Sequence, residues 1–158
     1  MSTKFRQLLQ VLSGTSLIGI GISLNYLANL GLGPWGVFHD GLSKTLNITY
    51  GRTIIITGIA VMLLWIPLKQ KPGIGTIIDI FLVGTVADLI IPNFPLSKNI
   101  FVSLLLIFCG IILIGAGTAI YVGGNLGVGP RDGIMVGLED KGLKIGTARN
   151  IIELLAFL

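Results

Sequence analysis

The chain has 158 residues, 53% of them hydrophobic and 11% charged, with a formal net charge of +4 and a mean hydropathy of +0.91. That composition excludes an ordinary soluble globular domain, and positive charge so thinly spread, with no basic face or run, excludes nucleic acid as a partner. The single cysteine, Cys109, excludes an internal disulfide and a cysteine-based zinc site, so the implied partner of the chain is the lipid bilayer itself.

Lys4 and Arg6 precede an apolar stretch from about residue 8 to about residue 30, long enough at about 1.5 Å per residue to cross a hydrocarbon core of about 30 Å. It predicts a first transmembrane helix rather than a cleaved signal peptide, because a matching stretch recurs inside the chain, where it cannot be removed. Gly31, Gly33 and Pro34 stop that helix. The segment from Trp35 to Leu46 is too short and too polar to span alone. It is expected as an interfacial helix or as a re-entrant half-helix, and broken backbone at membrane depth survives only beside protein or a watery cavity. A second span is expected over about 52–67, with Tyr26, Trp35 and Trp65 as interface anchors. The turn PGIGT, containing Pro72, Gly73 and Gly75, opens a third span over about 75–91. It lacks the GK[ST] of a phosphate loop and suits a tight turn with close helix packing.

The stretch NLGLGPWGVFHDGL at Asn29 to Leu42 returns as NLGVGPRDGIMVGL at Asn125 to Leu138, at an offset of about 96 residues. From Gly14 to Leu42 roughly 12 of 29 positions match without a gap, too many for two unrelated apolar helices. The chain therefore reads as repeat 1 over 1–95, with three spans, and repeat 2 over 96–158, with helices at about 99–121 and 147–158 around a second loop of Gly127, Gly129 and Pro130. The last helix is short of the ~20 residues a span needs, so these residues are expected to be a truncated form of a protein some ~40 residues longer. Three spans is an odd number, which makes the repeats inverted and the two GxGP loops opposed. With the N-terminus cytoplasmic, Lys4, Arg6, Lys69, Lys71, Arg131, Lys141, Lys144 and Arg149 fall inside and Lys44, Arg52 and Lys98 outside, as the positive-inside rule asks. The fold class expected is all-α, a multi-pass transmembrane bundle of two inverted-topology repeats.

NLGLGPWGVFHDGLS, then PGIGTIIDIFLVGTVAD after a helix, then the second GxGP loop, resemble the bacterial YczE/YyaS/YitT-like integral membrane proteins. The resemblance covers nearly the whole chain and implies a multi-pass protein of the inner membrane. It implies no activity and no site residues, because that family has no agreed ones.

Ionisable groups at membrane depth cost at least about 2.5 kcal/mol and so mark candidate sites. Asp79 and Asp88 fall on the third span and are expected to share a face, with Asp88, among apolar neighbours, the better candidate for a cation or proton site. Glu153 lies one helical turn after Arg149, an ion-pair spacing, and the first repeat is read as placing Ile54 and Gly58 there. Arg131 and Asp132 replace Trp35 and Gly36 in the second loop and read either as solvated loop charges or as part of a site. Asn29 and Asn125 end their helices as caps or line a polar cavity. His39 and Asp40 point about 100° apart and read as solvated interface.

No YD with GxGD, no membrane serine-protease motif and no HExxH occur, so catalysis is not expected, nor a cofactor or metal. The working expectation is a secondary transporter of a small solute by alternating access, on the architectural marks of inverted repeats and Gly/Pro-broken helices. The alternative is a non-transporting scaffold or accessory subunit packing against another membrane protein. A homo-oligomer is compatible with both.

Overall fold

The computed structural model describes residues 3–157, and among them the secondary structure is helical: α1 (Thr3–Leu27), α2 (Pro34–Leu46), α3 (Tyr50–Leu63), α4 (Trp65–Leu68), α5 (Ile74–Ile90), α6 (Ile100–Gly123), α7 (Pro130–Glu139) and α8 (Ile145–Phe157), with a 3-10 turn at Ile91–Asn93. Three helical stretches are long and apolar enough to cross a membrane, Thr3–Leu27, Ile74–Asn93 and Ile100–Gly123; α2 and α3 form a fourth candidate span bent by 109°.

The expected boundaries shift for local reasons. The first helix begins earlier and ends at Leu27, because Asn29 adopts left-handed backbone at φ 54 and Gly31 follows at φ 126. The span expected over 52–67 is two pieces, since Pro67 has no N–H to return to the Leu63 carbonyl and the helix breaks at Leu64. The loop geometry repeats with the sequence: Asn125 has φ 51 and Gly127 φ 134. Gly33 and Gly129 then stand extended before Pro34 and Pro130, which open α2 and α7 in the first helical turn where a missing N–H costs nothing.

α1 and α6 make the central contact of the fold. A Cβ on Gly14 would lie 2.6 Å from the Gly117 carbonyl oxygen, and one on Gly21 would lie 2.7 Å from that of Gly110. The pairs sit at opposite ends of the crossing, so the two helices run antiparallel. Bare glycines let their backbones meet, and in lipid such packing replaces the hydrophobic drive that is absent there. The contact is reciprocal. Gly14 corresponds to Gly110 in the repeat and Gly21 to Gly117, so each of the two α1 glycines touches the counterpart of the other. The same exchange relates Gly14–Tyr121 to Gly110–Asn25. Cys109, half-buried, lies within α6 beside this contact.

α5 packs in the groove between α1 and α3. Val86 meets Gly19, Gly84 meets Gly51, and Ile80 meets Gly58. A small core of Tyr50, Ile54, Val83 and Ala87 fills the space between these helices. A second core, of Val61, Trp65 and Ile134, joins the end of α3 and α4 to α7. α2 packs on both α3 and α8, and α7 on both α8 and α3, so each half-helix touches the same element of its own repeat and of the other.

Candidate functional site

The two half-helices meet over a cavity of about 560 Å3 in the middle of the bundle. Its walls come from both repeats and correspond position by position. Ile18 answers Ile114, Ile22 answers Thr118, Trp35 answers Arg131, His39 answers Met135, and Gly58 answers Glu153; all ten line the cavity. Past the half-helices the offset is one residue shorter, because α3 opens at Tyr50 and α8 at Ile145, and the Thr53 amide donates to the Thr49 carbonyl as the Ala148 amide does to that of Lys144; Arg149 and Glu153 therefore correspond to Ile54 and Gly58.

Arg131 is the second residue of α7 and sits over the ring of Trp35, its guanidinium carbon 4.9 Å from the ring centroid. Among the described residues no carboxylate lies within ion-pair distance of it. A guanidinium held on an aromatic face keeps its edge donors free for a ligand. Asp132 and Asp79 approach the same point from two helices: a Cβ on Gly129 would lie 3.1 Å from an oxygen of Asp132 and 3.6 Å from one of Asp79. Thr57, 8% exposed, also lines the cavity, and its hydroxyl has no hydrogen-bond partner. Threonine inside a helix ordinarily returns its hydroxyl to the carbonyl one turn back, as Thr15 and Thr118 do here. Arg149 and Glu153 pair with each other at 2.9 Å on the rim.

The structure separates the two aspartates of α5. Nine residues advance a helix by about two and a half turns, so Asp79 and Asp88 leave on opposite sides and do not share a face. Asp79 lines the cavity. Asp88 faces the start of α3 instead, where it accepts from the Thr49 hydroxyl at 2.5 Å and from the Gly51 amide at 2.7 Å. It satisfies a helix N-terminus, and a carboxylate there is favoured by the unpaired amides and the helix dipole.

Three aromatic or imidazole groups expected at interfaces are instead internal. Trp65 is 2% exposed, lies against Gly133, and donates from Nε1 to the Pro130 carbonyl at 2.9 Å. Trp35 lines the cavity. His39 is 4% exposed and packs edge-on to Tyr50 with ring centroids 5.9 Å apart. Its neighbour Asp40 does lie toward solvent, paired with Lys44 at 2.6 Å and accepting from Tyr26 at 3.2 Å.

Asn29 and Asn125 line neither wall of the main cavity; Asn29 borders a smaller hollow with Asp40 and Lys44. Pro72, Gly73 and Gly75 form the turn that docks on the second GxGP loop. The Gly75 amide donates to the Leu126 carbonyl at 2.9 Å, and the Thr76 hydroxyl to that of Val128 at 2.8 Å. Gly127 lies against Thr76 and Gly73. Gly129 and Pro130 line the cavity, whereas Gly31, Gly33 and Pro34 do not. Among the described residues no cluster of three His, Cys, Asp or Glu is arranged to hold a metal ion. Thr57, Trp35 and His39 were missed as lining residues in the sequence, because which side of α2 and α3 faces the cavity depends on helices distant in the chain.

A protein of 34% identity over 160 residues, from Haemophilus influenzae and uncharacterised, matches 97% of this chain and 71% of its own length. Two Bacillus subtilis proteins are also similar: the uncharacterised membrane protein YczE, 31% identical over 145 residues, covering 90% of this chain and 67% of that one, and the uncharacterised protein YyaS, 29% identical over 131 residues, covering 80% and 65%. These relatives agree with the resemblance carried by the GxGP and PGIGT motifs, and with the apolar helices they make this a membrane protein. No solved structure matches the chain. The model of a family of unknown function, DUF6198, matches residues 5–158, and the chain belongs to that family.

Proposed function

We propose that the protein is a secondary carrier that moves a small polar solute by alternating access, with the central cavity as its solute site and two inverted-topology repeats as its moving halves. The observation that carries this reading is the cavity's double lining, in which broken helices from both repeats bring corresponding residues to one space. Carriers of this design hold solute at the repeat interface, beside discontinuous helices. The antiparallel and reciprocal contact of α1 with α6 supports the inversion, because equivalent helices that run antiparallel are related by an axis lying in the membrane plane.

In this reading Arg131 and the first turn of α7 contact an anionic or carbonyl group of the solute, Thr57 contributes a hydroxyl, and Asp79 with Asp132 binds the coupling cation or proton. Asp79 takes the coupling role expected of Asp88. Solute and bilayer are the partners, no catalytic step is involved, and the N-terminus lies on the cytoplasmic side of a bacterial inner membrane.

The test is flux in proteoliposomes. The native protein is screened against amino acids, small organic acids, amines and sugars under an imposed proton or sodium gradient. Asp79→Asn is expected to abolish uptake of whatever solute is moved while the protein still elutes as a single species. Native rates in Asp79→Asn for that solute would end the coupling role, and the absence of gradient-driven flux across the whole panel would favour the scaffold reading. The bare apolar face of α6, with Phe101 80% and Phe108 65% exposed, is the observation behind that second reading.

A further inference from the structure

The correspondence between the repeats leaves one seat empty. α5 is held by four glycine contacts of repeat 1 and the second loop: Gly19 on α1, Gly51 and Gly58 on α3, and Gly127 in the GVGP loop. The counterpart of Gly19 is Gly115, and a Cβ there would meet nothing within 4 Å. The counterparts of Gly51 and Gly58 are Gly146 and Glu153 on α8; a Cβ on Gly146 would meet nothing within 4 Å, and Glu153 pairs with Arg149 of its own helix. The counterpart of Gly127 is Gly31, again with nothing within 4 Å. Contacts that are closed at Gly19, Gly51 and Gly127 are thus open at Gly115, Gly146 and Gly31.

We propose that this flank of α6, α8 and the GLGP loop is the seat of a further membrane helix of the α5 kind, carried by the polypeptide as it continues past α8. The occupant is apolar, is entered through a Gly-x-Gly-Thr turn that docks on the loop of Leu30 and Gly31 as PGIGT docks on Leu126 and Gly127, and lays a small or β-branched face against Gly115. Two further observations select a continuing segment over a foreign subunit. The order of elements in repeat 1 puts such a helix directly after the counterpart of α8. The curated relatives extend beyond the match, which covers 71%, 67% and 65% of them.

Cysteine accessibility in the bilayer tests it. In a Cys109→Ser background, Asn150→Cys marks the seat, being exposed and the counterpart of Ile55, which packs on Gly84 of α5, and Leu105→Cys marks exposed α6 surface whose counterpart, Leu9, is exposed as well. Reaction with a lipid-soluble maleimide is measured in the chain as it stands and in a form continued after Leu158 by a second copy of residues 64–93. The cysteine at 150 is expected to react freely in the first and about tenfold more slowly in the second, with the cysteine at 105 unchanged. A cysteine at the added copy's equivalent of Gly84 is expected to form a disulfide with the one at 150. Equal reactivity in both forms overturns the proposal, and so does a disulfide-linked dimer through position 150 in the unextended chain, which would make a second copy the occupant. If the continued form does not insert, the same segment co-expressed as a separate polypeptide must give the protection, and its failure to do so overturns the proposal equally.

Discussion

Trp35 and Arg131 occupy the same position in the two copies of the repeat, and they touch: the guanidinium carbon of Arg131 stands 4.9 Å from the centroid of the Trp35 ring. In the inverted-repeat arrangement proposed above, a residue that contacts its own counterpart lies on the axis relating the copies and the cavity is centred there. The exchange of an indole for a guanidinium changes the chemistry of the two halves at that contact. In a site screened from water, a cation over an indole contributes about 2 kcal/mol.

That contact predicts a measurable coupling. Trp35→Leu and Arg131→Met, singly and together, should give a coupling energy of about 1–2 kcal/mol in a double-mutant cycle read by unfolding in mixed detergent micelles. Arg131→Lys should recover little of it, because an ammonium lacks the planar face that stacks on indole. Additive single effects would mean that the two side chains do not share an interaction.

The two aspartates of α5 should separate by readout. Asp88→Ala leaves the Gly51 amide and Thr49 hydroxyl without their acceptor and should lower unfolding stability by about 1–3 kcal/mol. Asp79→Asn removes a carboxylate that has no hydrogen-bond partner among the described residues and should leave stability unchanged or raise it, while losing transport. Thermal unfolding of the two purified variants checks the first half; a stable Asp88→Ala with an unfolded Asp79→Asn would reverse the assignment.

The glycines should sort in the same way. Gly14→Leu and Gly110→Leu place a side chain into the backbone of the facing helix, at 2.6 Å from the Gly117 oxygen in the first case. Both should fail to give a monodisperse protein, since overpacking against backbone cannot be relieved by a rotamer change. Gly115→Leu, on the open side of the same helix, should purify normally from the same cells.

Much of this was legible in the sequence and some was not, for identifiable reasons. The duplication was visible because Gly14, Gly21, Asn29, Gly31, Gly33 and Pro34 are fixed by backbone conformation and close approach, demands that leave few residue choices. The helices followed from hydropathy. The burial of Trp65 and His39 was not legible, because an aromatic with a polar atom suits a membrane interface and a packed core equally well until its neighbours are known. Asp79 was ranked below Asp88 for a related reason. Local apolarity around a carboxylate says how costly the charge is, but which side of the helix faces a cavity depends on helices distant in sequence.

The last prediction concerns sidedness. Thr45 lies just inside the end of α2 and Lys141 just beyond α7, the corresponding half-helix, and both are exposed. The contacts fix which chain segments share an end of the molecule. Lys141 donates to the Pro67 carbonyl at 3.1 Å and Gln70 to Asp140 at 2.7 Å, which gathers Lys69, Lys71, Lys141 and Lys144 at one end. The Ser97 amide donates to the Leu27 carbonyl at 2.8 Å, which brings Lys98 to the other end with the GLGP loop. The more basic end should face the cytoplasm. In a Cys109→Ser background, a membrane-impermeant thiol reagent added to intact cells or spheroplasts should label Thr45→Cys and spare Lys141→Cys, and the pattern should reverse in inside-out vesicles. Labelling of both from one side would mean that the repeats are parallel in the membrane, and alternating access about a shared axis would lose its structural basis.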